Sequence, residues 1–280
     1  MKKVKRRKKR KIRFRFFRSL FLLSLIFLLA FFPGGESSTS SPQAWQHASD
    51  FLPGPEQHPP ASQQADAPVQ ISVSDRLRRL LFIKRAVDSR INHDAYVQLR
   101  DTPLSLQHAV VAVEDSRFYS HHGFDMQGIL RATLVNIQYG QIEEGASTIT
   151  QQLVKNLFLS HEQSFGRKAE ELLLAVDIEA NYSKDEILEL YLNTIYYGSS
   201  YYGIGPAAEG YFGKKPAELQ LPESAMLAGL PNAPSLYSPY VDFMMAKKRQ
   251  FVVIDAMVHN GYLDEADAES AKIKPIFLAH

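Results

Sequence analysis

The sequence predicts an all-α domain preceded by one N-terminal transmembrane helix. Three observations carry this. From Pro103 onward apolar residues recur at helical spacing, strand signals are scarce, and one apolar run follows a block of Lys and Arg at the N-terminus. The formal net charge is only +2, but it hides an asymmetry, because residues 2–18 are dominated by Lys and Arg and the remainder is acidic in balance. A basic tail beside an apolar run points to a membrane surface and gives no reason to invoke nucleic acid. The chain has no cysteine, which excludes disulfides, thiolate metal sites and a Cys nucleophile.

The elements follow in order. Residues 1–18 form a basic cytoplasmic tail. The run at 19–33 (Ser19 to Phe32, then Pro33) is short for a spanning helix of about 20 residues, and Phe14, Phe16 and Phe17 extend it if Arg15 and Arg18 snorkel to the headgroups. No Ala-x-Ala cleavage site stands near Pro33, so an uncleaved signal-anchor is expected over a secretory leader. The positive-inside rule then puts a single-pass protein in the cell membrane with its folded part extracytoplasmic. Residues 34–70 are rich in Ser, Pro, Gln and Ala and poor in large aliphatics, the composition of a disordered tether. The folded domain is expected at 71–280. It opens with an amphipathic stretch containing Leu77, Leu80, Leu81 and Ile83, suited either to the bilayer surface or to packing on the domain.

Within the domain, Leu106, Ala109, Val110 and Val113 predict a buried helix that ends near Glu114. Asp125 is placed to cap the next helix, with Ile129, Leu130, Leu134 and Ile137 as its apolar face. Ser147 or Thr148 opens another, ending near Leu159, and 166–181 continues with Leu172, Leu173, Val176 and Ile178. Ser183-Lys-Asp-Glu186 reads as a capping box for a helix through Asn193. A long helix over 241–260 is closed by Gly261.

Three polar blocks interrupt these apolar stretches. They are Glu114-Asp115-Ser-Arg-Phe118-Tyr-Ser-His121-His-Gly123, then Gly145-Ala-Ser147-Thr148-Ile-Thr150-Gln151-Gln152-Leu-Val-Lys155-Asn156, then Arg167-Lys168-Ala-Glu-Glu171. A Glu-Asp pair by itself is most often a solvated surface feature. Three blocks of carboxylates, hydroxyls, amides and cations set among core-like residues instead suggest one cleft. The second block, at a helix start, offers hydroxyl and amide donors and free backbone N–H groups able to hold phosphate or sugar oxygens, with Lys155 about two turns on near the same face.

In this order and spacing the blocks resemble the first three motifs of the peptidoglycan glycosyltransferases. A fourth block, Ile187-Leu-Glu189-Leu-Tyr191-Leu-Asn193 with Gly203, Ala207-Ala208 and Tyr211-Phe212-Gly213-Lys214, resembles the same family, as does a fifth, Ala228-Gly-Leu-Pro-Asn-Ala-Pro-Ser235. The resemblance implies a lysozyme-like helical domain with a membrane-facing lobe. It implies polymerisation of lipid II, with a growing lipid-linked glycan strand as the other substrate and release of polyprenyl pyrophosphate. Glu114 and Glu171 would be catalytic, Glu114 as the general base and Glu171 on the donor side with Arg167 and Lys168 as its partners. Asp115, Phe118, His121 and Arg131 would line the substrate site, with Asp115 and His121 holding the turn of the first block. Ser147, Thr148, Gln151, Gln152, Lys155 and Asn156 would bind the substrate from the second block, Lys155 against pyrophosphate. No cofactor is required; Mg²⁺ bridging pyrophosphate oxygens is compatible, and no residue cluster encodes a protein metal site. Proteins of cell-wall synthesis are compatible partners.

One departure stands out. Between Lys155 and Arg167 such sequences commonly read Glu-Arg-Ser, whereas this chain has Glu162-Gln163-Ser164, which implies one cation fewer at the donor pyrophosphate. Two rival readings remain open on the residues. A lysozyme-like hydrolase would also use two carboxylates, with water as the acceptor; a non-catalytic cell-wall scaffold would need neither acid. No Ser-x-x-Lys followed by Lys-Thr-Gly is present, so no transpeptidase domain is expected.

Overall fold

The structure is a computed structural model that describes residues 81–139, 147–159 and 165–279. The expected tail, anchor and tether at 1–70, and Gln163, lie outside the described residues. Among the described residues no helix is long and apolar enough to cross a membrane.

The elements are helical throughout: α1 (Ile83–Asp88), α2 (Leu104–Glu114), α3 (Met126–Tyr139), α4 (Ile149–Phe158), α5 (Phe165–Asn181), α6 (Lys184–Thr194), α7 (Ile204–Phe212), α8 (Leu221–Gly229), α9 (Pro234–Tyr237), α10 (Phe243–His259) and α11 (Glu265–Ile273), with 3₁₀ turns at Leu99–Asp101, Pro216–Glu218 and Leu230–Asn232. Of the described residues, 165–173 belong to one compact unit and the others to a second.

The larger unit is built around α2. Its Leu106, Ala109, Val110 and Val111 are at most 1% exposed, and α8 and α10 pack against it and against each other. Small residues let these helices approach closely. Ala225, Ala228 and Gly229 lie on α8, and a Cβ on Gly229 would sit 2.8 Å from Cγ of Arg249. Each fully buried Leu, Ile or Val side chain contributes about 1.5–3 kcal/mol over exposure, so this three-helix packing is a firm support for whatever α2 carries at its end. α4 packs on α6, and Leu153, Val154 and Leu157 of the one and Ile187 and Leu188 of the other are buried in the same core.

Local chemistry sets the helix ends. The Ser183 hydroxyl accepts from Glu186 N–H, and the Glu186 carboxylate accepts from Ser183 N–H, so α6 begins where its capping box predicts. Asp242 and Asp264 cap α10 and α11 in the same manner through Met245 N–H and Asp267 N–H. Gly261 closes α10 with φ +74°, a left-handed conformation that costs a residue with a Cβ about 1–2 kcal/mol. On α3 the expected apolar face behaves differently: Leu130 and Leu134 are 60% and 68% exposed and so do not pack on the core. Of the expected amphipathic stretch before Leu99, the described part gives α1, with Ile83 and Val87 buried and Leu81 and Phe82 exposed.

The fourth sequence block acts as a clamp. Glu189 on α6 accepts from Tyr96 Oη (2.8 Å) and from Leu99 N–H (2.6 Å), while Asn193 donates to Val97 O and accepts from Val97 N–H, both 2.8 Å. These bonds tie the segment 96–99 along α6.

Candidate active site

α2 delivers Glu114 as its last residue, and Asp115 leaves the helix with ψ 75°. The turn that follows is braced from two sides. Asp115 Oδ2 accepts from His121 Nε2 (2.9 Å) and from the Ile149 N–H at the start of α4 (3.1 Å). Because a carboxylate only accepts, His121 carries its proton on Nε2. Thr148 Oγ1 donates to Gly123 O at 2.8 Å. Gly123 has φ +90°, and a Cβ there would lie 3.1 Å from the Ala175 carbonyl of α5, so both the turn and the close approach require glycine.

This arrangement corrects several sequence expectations. Phe118 is fully buried, with the Lys184 ammonium 4.3 Å from its ring centroid, and has no surface to present to a substrate. Thr148 and Gln151, expected to bind substrate, are buried and form the capping box of α4. The N–H groups of Thr148, Ile149 and Gln151, expected to be free for an anion, are taken by Gln151 Oε1, Asp115 and Thr148 Oγ1. Asp115 and His121 are buried and paired with each other, in line with the turn-holding role expected of them, and leave little surface for a substrate. The start of α4 is therefore the joint that holds the turn.

Other expected residues keep open surface. Ser147, Lys155 and Asn156 are exposed on or just before α4, and Arg131 is exposed on α3. Gln152, on α4, reaches Glu114: its Nε2 donates to Glu114 Oε2 at 2.7 Å, and its Oε1 accepts from Tyr191 Oη of α6 at 3.2 Å. Lys155 and Asn156 follow Gln152 by three and four positions, hence on one face of the helix. In the smaller unit, Glu171 is 3% exposed and pairs with Lys168 one turn earlier on α5; Arg167 is half-buried.

Glu114 is the distinctive group. Part of the residue is open, but Oε1 is cut off from solvent and receives no donor from the protein. Burial pushes its carboxyl above the ordinary carboxylate range. The Gln152 hydrogen bond and the Arg249 guanidinium oppose that rise, and the charge of Asp115 adds to it. A carboxylate with raised proton affinity, one oxygen anchored and the other without a donor, is equipped to take up a proton. The sequence gives Arg249 no such association, since 135 positions separate it from Glu114; it is held by Gly229 O (3.3 Å). Tyr191 and Tyr197, fully buried beside the same carboxylate, also go unsignalled, although Tyr191 lies within the fourth block.

A helical domain with a carboxylate of raised proton affinity at the end of a buried helix is compatible with glycosyl transfer, and the comparisons with known proteins place the chain among glycosyl-transferring enzymes. The profile of the family described as Transglycosylase matches residues 83–258, and the chain belongs to that family. Its folded part is a peptidoglycan transglycosylase domain. The chain is 46% identical over 180 residues to penicillin-binding protein 1A of Vibrio cholerae, covering 64% of this chain and 22% of that protein. It is 49% identical over 168 residues to penicillin-binding protein 1A of Neisseria flavescens, covering 60% and 21%. The chain thus corresponds to about a fifth of the length of these relatives. A crystal structure of penicillin-binding protein 1A from Haemophilus influenzae aligns with 26% identity over 66% of this chain and 18% of that one, at a TM-score of 0.39, which carries no weight for the fold.

Proposed function

We propose that this chain is a membrane-anchored glycosyltransferase that polymerises lipid II into glycan strands. The observation that carries the reading is Glu114, with Oε2 fixed by Gln152 and Oε1 left without a donor at a buried position. The acceptor's sugar hydroxyl would attack the anomeric carbon of the donor and pass its proton to Glu114 as the new C–O bond forms. The anomeric carbon–phosphate oxygen bond would break at the same time, releasing polyprenyl pyrophosphate. Lys155, with Asn156 and Ser147, would meet the negative charge on the departing phosphate, and the pair Lys168–Glu171 would act on the donor side. Arg131 is assigned to the same anion, and Arg167 to the side of Glu171. Among the described residues no group of three or more His, Cys, Asp or Glu is placed to hold a metal ion. Mg²⁺ carried on the substrate's pyrophosphate is compatible with this reading.

The lysozyme-like arrangement with a membrane-facing lobe, and the anchor at residues 19–33, belong to the same proposal. Support comes from α3, where Met126, Leu130 and Leu134, spaced four apart, are 57–68% exposed and form an apolar face suited to a bilayer surface.

The test is incubation of the full chain in detergent with labelled lipid II, then digestion of the product with a muramidase. A long product that collapses on digestion is expected. Degradation of preformed glycan with no polymer formed would establish a hydrolase, and inertness towards both would leave a scaffold.

A further inference from the structure

Glu114 Oε2 is held by Gln152, and Gln152 is itself held. The amide has two ends with opposite polarity. The carboxylate, which only accepts, requires the NH₂ end, so the carbonyl end must find its donor elsewhere. Tyr191 supplies that donor at 3.2 Å. Its ring is fully buried in α6, which fixes its direction. Burial, and secondly the negative charge of Glu114, hold its hydroxyl protonated far above any working pH, so it remains a donor throughout. Gln152 keeps part of its surface open, so the side chain has an exit to solvent. Take away the tyrosine hydroxyl and Oε1 of Gln152 becomes a part-buried acceptor that has lost its protein donor, which an outward rotamer towards solvent relieves. Glu114 then loses the donor that anchors it.

We propose that Tyr191 is a positioning residue of the reaction: through Gln152 it fixes the carboxylate of Glu114 in the orientation that leaves Oε1 for the incoming hydroxyl. This rests on the reading of Glu114 as the base. Tyr191 touches neither substrate nor the reacting atoms, and its effect passes through one amide. Tyr197, whose hydroxyl is buried near Glu114 without a partner, does not replace it, because that hydroxyl makes no bond to Glu114 or to Gln152.

The experiment is the pH dependence of kcat/KM for lipid II polymerisation by the full chain, comparing wild type, Tyr191→Phe and Gln152→Met, with a thermal melt of each. The Gln152 hydrogen bond lowers the proton affinity of Glu114, so its loss should move the acid limb to higher pH. Tyr191→Phe should therefore lose severalfold more activity below the wild-type midpoint than on the alkaline plateau. Gln152→Met should show the same displacement, and the double variant should add nothing to it. A uniform loss at every pH, with the limb in place, would make Tyr191 a core residue only and overturn the proposal. If Tyr191→Phe does not fold, an unmoved limb in Gln152→Met overturns it equally, and a displaced limb supports it. Failure of wild type to polymerise lipid II, or full activity in Glu114→Gln, would strike the underlying reading instead and is read from the same plates.

Discussion

Glu114→Gln should lose polymerising activity by about 10²–10⁴-fold, the range expected when a general base is removed. The amide matches the carboxylate in shape, so the hydrogen bond at Gln152 can re-form by rotation and the helix end stays intact. What disappears is the ability to accept a proton. The same substitution should leave the melting temperature at neutral pH equal to or above that of wild type. The sign follows from linkage. The folded-state pKa of Glu114 is raised by burial, so its contribution to stability is fully present below the unfolded value and is lost as pH rises through the folded value. Above the folded value the wild type has incurred that loss and the Gln variant has not. Below the ordinary carboxylate range the two should melt alike. A variant that is inactive and clearly less stable at neutral pH would point to a structural carboxylate.

Asp115→Ala should be the most destabilising single change at the site, by about 3–5 kcal/mol, as expected when one partner of a buried, hydrogen-bonded pair is deleted. It removes the acceptor of His121 Nε2 and of Ile149 N–H together, and both donors lie in dry surroundings. For a domain of this size that corresponds to a fall in melting temperature of order 10 °C. Activity should fall too, since the joint between the turn and α4 sets where Gln152 meets Glu114. Asp115→Asn, which keeps one acceptor oxygen, should recover part of the stability. If Asp115→Ala melts within about 1 kcal/mol of wild type, in the range of ordinary surface substitutions, the turn is held by something other than this carboxylate.

Much of the fold is legible in the sequence because its helix boundaries are written in local chemistry. Ser183 with Glu186, Thr148 with Gln151, and Gly261 after an apolar run each encode an end within a few residues. α8 and α7 are harder to read, since both are short and rich in Gly and Ala, and α8 is buried all round, so neither shows a polar face that sets a period. α11 is not among the expected elements even though Asp264 and Asp267 signal its start. The position of Glu114 at the end of a buried helix follows from the periodicity of Leu106 to Val113. The direction of its neighbours does not. A hydroxyl or amide in a sequence can cap a helix or face a ligand, and only tertiary contact tells which. Thr148 and Gln151 turn inward and cap, while Gln152, next in line, reaches the acid. Tyr191 and Arg249 influence Glu114 across 77 and 135 positions of chain, a distance at which sequence spacing carries no signal.

The most direct test of Glu114 as the proton acceptor is the pH profile of kcat/KM for wild-type protein on lipid II, recorded with substrate well below saturation so that it reports the free enzyme. An acid limb centred above the ordinary glutamate value of about 4.3, absent from the residual activity of Glu114→Gln, is the expected result. A limb at or below that value, or one that survives unchanged in the variant, would contradict it.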